Sequence, residues 1–258
     1  MSWFALYRRY AAASVRGQLQ YRASFVLIVL ATVLQTGIEF VGIWALFARF
    51  GEVAGWRLSD VALFYGMISV TWALCDAVGR GFDAFDRMLK VGGLDRLLVR
   101  PRSTVLQLLG QELTLRRAGR LLQGAAVLVY AGTAIAWTPA KVALLAGAIA
   151  GGVCAFLGLL VLQATSAFWT IESLEVWNAF TYGGVTMNQY PLAIYRGWLR
   201  DLFTYVIPLA CVCYLPGLAL LDRGGPLCWV APLAGPAFLA LCLVAWRFGV
   251  RHYQSTGS

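Results

Sequence analysis

RGFDAFDRMLKVGGLDRLLVRPR, residues Arg80 to Arg102, is the longest run in the chain that cannot sit in lipid. It carries six cationic residues and three aspartates between two strongly apolar segments. Phe82, Phe85, Met88 and Leu89 recur at helical spacing, opposite Asp83, Asp86, Arg87 and Lys90. Gly92 and Gly93 break that helix, and Leu94, Leu97 and Leu98 begin a second amphipathic turn that stops before Pro101. The pattern predicts a short amphipathic element over residues 80–102, lying on the cytoplasmic face of a membrane and built to touch a soluble partner. Asp83, Asp86, Arg87, Asp95 and Arg96 are expected to pair with opposite charges on that partner, while Phe82, Phe85, Leu94 and Leu98 fill its groove.

The rest of the composition requires the membrane. The 258 residues are 60% hydrophobic and only 13% charged, where soluble domains keep about 25% charge. Mean hydropathy is +0.71. The net charge of +9 does not point to nucleic acid, because the basic residues flank apolar spans and form no surface stripe. The six cysteines, Cys75, Cys154, Cys211, Cys213, Cys228 and Cys242, form no C-x-x-C pair and read as small apolar packing residues. No cleavable signal peptide is visible at the start.

Outward from the block, apolar spans are predicted at 24–47 and 61–78 before it, and at 120–137, 142–165 and 230–248 after it. Residues 1–23 contain an amphipathic stretch with Trp3, Phe4, Tyr7 and Tyr10 on one face and Arg8, Arg9 and Arg16 toward the other, the pattern of an interfacial helix. Residues 103–117 read as a moderately apolar helix at the interface or as an extension of the next span. In the fourth span Gly147 and Gly151 form G-x-x-x-G, with Gly158 two turns on, which predicts close helix packing within the chain, a dimer interface being the alternative. Hydropathy alone leaves 168–221 open. Either a single span lies at about 202–221, or a weakly apolar span over 168–190 is followed by helices that dip into the outer leaflet and break at Pro208 and Pro216. Under the second arrangement fifteen of the 21 basic residues fall on one side, which places both termini in the cytoplasm.

Motifs that would make this chain an enzyme are absent from the sequence. No glycine-rich G-x-x-x-x-G-K-S/T loop, H-E-x-x-H or G-x-S-x-G occurs, and the one histidine, His252, lies in the tail. Neither a metal nor a cofactor is therefore expected in this chain. The ionisable residue of most interest is Glu39, inside the first span, where insertion of an acid costs on the order of 2.5–3.5 kcal/mol. It is either a pathway acid that attracts a cationic or polar substrate, or a near-interface acid paired with another helix. Asp76, Glu172 and Glu175 lie near span ends. Asn178, Tyr182, Asn188 and Gln189 follow Glu175 along one segment, a concentration that suits a helix facing a cavity.

The stretches YRASF at 21–25, GGLDRLLVRP at 92–101, FW at 168–169 and YPLAIYRGWLRDLFTYVIPLACVCYLPG at 190–217 resemble, in order and spacing, a membrane subunit of type-2 ATP-binding-cassette exporters, in the subfamily of short six-span permeases without a fused ATPase. That resemblance implies a fold class: an all-α polytopic membrane protein, one transmembrane domain over 1–258 with six spans, the fifth at 168–190. An N-terminal interfacial helix and a cytoplasmic coupling helix in the 80–102 block accompany them. Re-entrant outer helices over 196–221 are marked by Tyr190, Pro191, Trp198, Pro208 and Pro216. It implies partners: ATPase subunits that bind ATP and Mg, a second permease subunit (identical or related) and the lipid bilayer, with no nucleic acid. It also implies a bacterial cytoplasmic membrane location and a pathway at the permease interface that includes Glu39, Glu175, Asn178 and Tyr182. The expected activity is outward movement of a small amphiphilic or drug-like substrate. The alternative is an ion-coupled secondary transporter in which Glu39 is the coupling acid, although no pair of broken-helix repeats is evident.

Overall fold

The computed structural model describes residues 16–17, 20, 22–111, 118–170 and 174–253. The expected interfacial helix over 1–23 lies almost wholly outside the described residues, as do 112–117 of the helix expected after the block.

The elements of the described residues are all helical, in the order α1 (Arg22–Phe50), α2 (Leu58–Asp83), α3 (Phe85–Lys90), α4 (Gly93–Leu98), α5 (Thr104–Gln111), α6 (Ala118–Gly132), α7 (Pro139–Ser166), α8 (Leu174–Asn188), α9 (Gly197–Asp201), α10 (Leu209–Val212), α11 (Tyr214–Leu220), α12 (Leu227–Val230) and α13 (Ala234–His252). A single π-turn, Leu202–Val206, joins α9 to the break before α10. Among the described residues four stretches are long and apolar enough to cross a bilayer: Arg22–Phe50, Leu58–Lys90, Pro139–Ser166 and Leu227–His252. A fifth would exist only if Gly197–Val206 and Leu209–Leu220, bent by 73°, were counted as one.

α6 ends at Gly132, short of the expected end of the third span at 137, and the described part of the fifth is α8; residues 112–117 and 171–173, just before these helices, lie outside the described residues. Residues 133–137 keep the apolar character of the span but turn: the Trp137 indole N–H donates to the Gly132 carbonyl at 2.8 Å, folding the chain back on α6. At the other end of α7, Thr165 and Ser166 carbonyls take up the amides of Phe168, Trp169 and Thr170 in a turn, so the helix expected from 168 is not continuous.

α2 is the centre. Its middle is apolar on every face, as a helix enclosed by neighbours must be, and nineteen of its 26 residues are buried. It packs against α5, α6, α7 and α8. Small residues set the spacing: a Cβ on Gly66 would come within 2.9 Å of Leu128, and one on Gly124 within 2.8 Å of Ser69. On α7, Gly151 meets the backbone of Pro232 and Gly235, and Gly158 meets Phe238, so α13 lies along α7 through two of the three glycines singled out in the sequence. Gly147 faces open space. α1 stands at the edge. It packs mainly on α6 and buries only Thr36, Ile43 and Phe47, leaving Leu27, Leu34, Ile38, Val41 and Trp44 exposed.

Candidate functional site

The 80–102 block is built onto the end of α2. The first part of the block is helical as its spacing suggested, because α2 continues to Asp83 and the chain turns only at Ala84 before α3. Gly92, at φ +63°, supplies the left-handed turn between α3 and α4. The Gln107 side-chain amide donates at 3.1 Å to the carbonyls of both Leu97 and Arg102, which ties α5 back onto α4.

The apolar face of this block points inward. Phe82, Phe85 and Leu94, read from the sequence as fillers of a partner's groove, are each no more than 1% exposed. Phe82 and Phe85 stand edge-on to Trp246 of α13 at 5.4 and 5.0 Å, and Phe85 also meets Phe168 at 5.4 Å. The groove they fill belongs to the chain itself. The physical reason is length: α13 reaches the same end of the bundle, and its Trp246 is anchored by an indole N–H donated to Thr104 Oγ1 at 3.1 Å. Asp83 is likewise engaged internally, with Arg80 at 2.6 Å and with the Gln163 amide of α7 at 3.5 Å. Asp86 and Asp95 are half-buried. What the block presents outward is Arg87, Lys90, Arg96, Arg100 and Arg102, together with Leu98, Val91 and Val99, the last at 85% exposure. The outward face is therefore cationic with apolar tips.

The intramembrane polar residues fall into two neighbourhoods. On α1, Gln35 and Glu39 are one turn apart and both exposed. Glu39 is near enough to act electrostatically on the Tyr65 and Tyr190 phenols. The Thr36 carbonyl, one turn from Glu39, accepts from Tyr65 Oη at 2.9 Å and from the Gln123 amide at 3.1 Å, and Gln123 also reaches Tyr65 Oη at 3.2 Å. Tyr65 and Gln123 were not singled out from sequence; each is one polar group in an apolar helix, the only signal available. Further along α2, Trp72 is buried and edge-on to Tyr182 of α8 at 5.3 Å. Asn178 is half-buried on the same helix, while the Glu175 side chain lies outside the described residues.

The stretch after α8 is broken near the prolines that the sequence pointed to. Pro191 caps the 3-10 turn Leu192–Ile194, Trp198 is 66% exposed on α9, and Pro208 stands at the break before α10. Pro216 sits in the first turn of α11, and the helix is interrupted at Cys213, between α10 and α11, where the N–H that Pro216 lacks would have bonded the Val212 carbonyl. Among the described residues no group of three or more His, Cys, Asp or Glu could hold a metal.

A family model described as ABC-2 family transporter protein matches residues 33–257, well over half of the chain. No curated protein and no solved structure matches it.

Proposed function

The chain belongs to the ABC-2 transporter family and is a multi-pass membrane permease subunit, and from that premise we propose that it moves a small amphiphilic or drug-like substrate outward by alternating access, driven by separate ATPase subunits. Six spans are proposed, α6 and α8 forming the cores of the third and fifth, with 196–221 re-entrant on the outer side and both termini in the cytoplasm of a bacterial inner membrane. ATP and Mg are bound by the partner ATPases. Two permease subunits, identical or related, complete the assembly, with Glu39, Glu175, Asn178 and Tyr182 toward the pathway between them.

The observation that carries this reading is the placement of the 80–102 block. It is continuous with α2, the most enclosed helix, and its outward face is a cluster of exposed cations with exposed Leu98 and Val99. A partner that moves this block moves the helix at the centre of the bundle. Nucleotide can drive such a movement only by binding one arrangement more tightly than the other. Phe82, Asp83, Phe85 and Leu94 take part as the inner face of the lever, and Arg87, Arg96 and Leu98 as its contact side, with half-buried Asp86 and Asp95 at the boundary between them.

The test is reconstitution of the chain with its ATPase in liposomes. ATP-dependent extrusion of an amphiphilic cation by the complex, and none by the chain alone, is the expected result. Transport by the chain alone under an ion gradient, abolished by Glu39→Gln and indifferent to ATP, favours the second reading, ion-coupled transport. That reading rests on the carboxylate of Glu39 within the otherwise apolar α1.

A further inference from the structure

The end of the molecule opposite the 80–102 block carries two ion pairs made by adjacent residues of opposite sign. Asp222 reaches the Lys141 ammonium in the first turn of α7 at 2.7 Å. Arg223 reaches Asp60 in the first turn of α2 at 3.1 Å, and its guanidinium lies 5.0 Å over the Trp56 ring. The two receiving groups are buried: the Lys141 and Asp60 side chains are 6% and 8% exposed. The side chain of Asp222, by contrast, is 73% exposed and that of Arg223 is 44% exposed.

These two residues immediately follow α11, the last helix of the broken segment. The Arg223 amide donates to Leu218 O at 2.8 Å and the Asp222 amide to Ala219 O at 3.2 Å, the paired bonds of a Schellman ending. The position that this ending gives to glycine is held here by Asp222 at φ +57°. Beneath the turn lies an aromatic layer of Trp56, Phe64 and Tyr214, with Phe64–Tyr214 centroids 5.7 Å apart. Gly224, the next residue, covers the buried thiol of Cys228: a Cβ there would come within 3.0 Å of its Sγ.

We propose that Asp222–Arg223 is a clip that fastens the broken segment across the ends of α2 and α7, and that its release accompanies opening of this end of the permease. The proposal rests on the exporter reading for the role of the opening, but the clip itself stands on geometry alone. A dipeptide with one charge for each of two helices is suited to the task. Both pairs are satisfied together only while the two helix ends keep their present separation, and separating them leaves buried Lys141 or buried Asp60 without its counter-charge, a costly outcome unless water enters. Each alternative state is therefore closed and dry or open and wet, with little between.

Cys228 reports on the clip. A chain keeping Cys228 and replacing Cys75, Cys154, Cys211, Cys213 and Cys242 by alanine is labelled in membranes with an impermeant maleimide. With the clip intact labelling is slow. Asp222→Asn and Arg223→Gln, both at exposed side chains and so compatible with folding, are expected to raise the rate by roughly tenfold, the effect of about 1.4 kcal/mol on an opening equilibrium. The charge-swapped pair Lys141→Asp with Asp222→Lys is expected to return most of the slow rate. Unchanged labelling in the single variants, or a swapped pair as fast as they are, overturns the clip. In the complex with the ATPase, a non-hydrolysable ATP analogue should speed labelling of the intact clip toward the rate of Asp222→Asn. A complex that binds the analogue with no change in rate overturns the coupling of the clip to the transport cycle. Failure of any ATPase to assemble with the chain counts against the exporter reading, and leaves the comparison of clip variants to decide the clip.

Discussion

Phe85, the first residue of α3, stands edge-on to Trp246 of α13, with ring centroids 5.0 Å apart and planes at 71°. Three further rings extend the contact: Phe82 and Phe168 meet Trp246 at 5.4 Å each, and Tyr253 meets Phe168 at 6.0 Å. The element expected to reach out for a partner is thus fixed to the chain's own last helix. α3 is thereby joined to α2 through the backbone and to α13 through packed rings.

Trp246→Ala is expected to destabilise the protein by about 3–5 kcal/mol, the cost of removing a buried large aromatic side chain together with the cavity it leaves. Thermal unfolding in detergent, followed by fluorescence-detected size-exclusion, measures the shift. Phe85→Ala should cost a similar amount, and the double variant less than the sum, because each single change already removes the shared contact.

Docking of the ATPase should respond to the outward cations and be indifferent to the inward carboxylate. Arg87→Glu with Arg96→Glu reverses two exposed charges and is expected to abolish co-purification of the ATPase at moderate salt. Asp83→Asn is expected to leave co-purification unchanged, because that carboxylate already pairs with Arg80 at 2.6 Å within the chain. Loss of the ATPase in Asp83→Asn and its retention in the double reversal would mean that the block is inserted the other way round.

That inversion marks the limit of what the sequence made legible. Alternation of Phe82, Phe85 and Leu89 with charged residues identified an amphipathic block, and the long apolar runs identified the helices of four stretches. An amphipathic pattern says that one face is apolar but not whose groove it enters; only the arrival of Trp246 at the same end decides that. The end of the third helix was illegible for a related reason: Ile135, Ala136 and Trp137 are as apolar as any span residue, yet α6 ends at Gly132. Glu39 was visible because an acid in an apolar run is rare. Its neighbours Tyr65 and Gln123 were not, since nothing in one sequence says which polar groups share a cluster.

Two glycines of one motif should behave oppositely. Gly151→Leu places a side chain against the backbone of Pro232 and Gly235 and is expected to separate α7 from α13, with loss of the folded monodisperse species on size-exclusion. Gly147→Leu, with nothing within 4 Å of its Cβ position, should be tolerated as a folded chain. If Gly147→Leu folds but no longer forms the permease pair, Gly147 lies at the interface between subunits.

The last expectation separates two opposing contributions at Asp222. Its backbone, at φ +57°, is in the region where a non-glycine residue is strained by about 1 kcal/mol, an amount that glycine avoids and that Asn or Asp partly offsets by local hydrogen bonding. Its carboxylate, at 2.7 Å, neutralises a lysine that is buried and sits at a helix N-terminus, where the helix dipole already disfavours a cation. Asp222→Asn keeps the backbone preference and removes the charge; Asp222→Gly removes the charge and relieves the backbone. If the ion pair outweighs the strain, thermal stability should fall in the order Asp, Gly, Asn. A glycine variant more stable than the native chain would mean that the pair contributes less than the backbone costs, so that Asp222 is kept for what it does when it lets go of Lys141 rather than for the stability it adds while holding it.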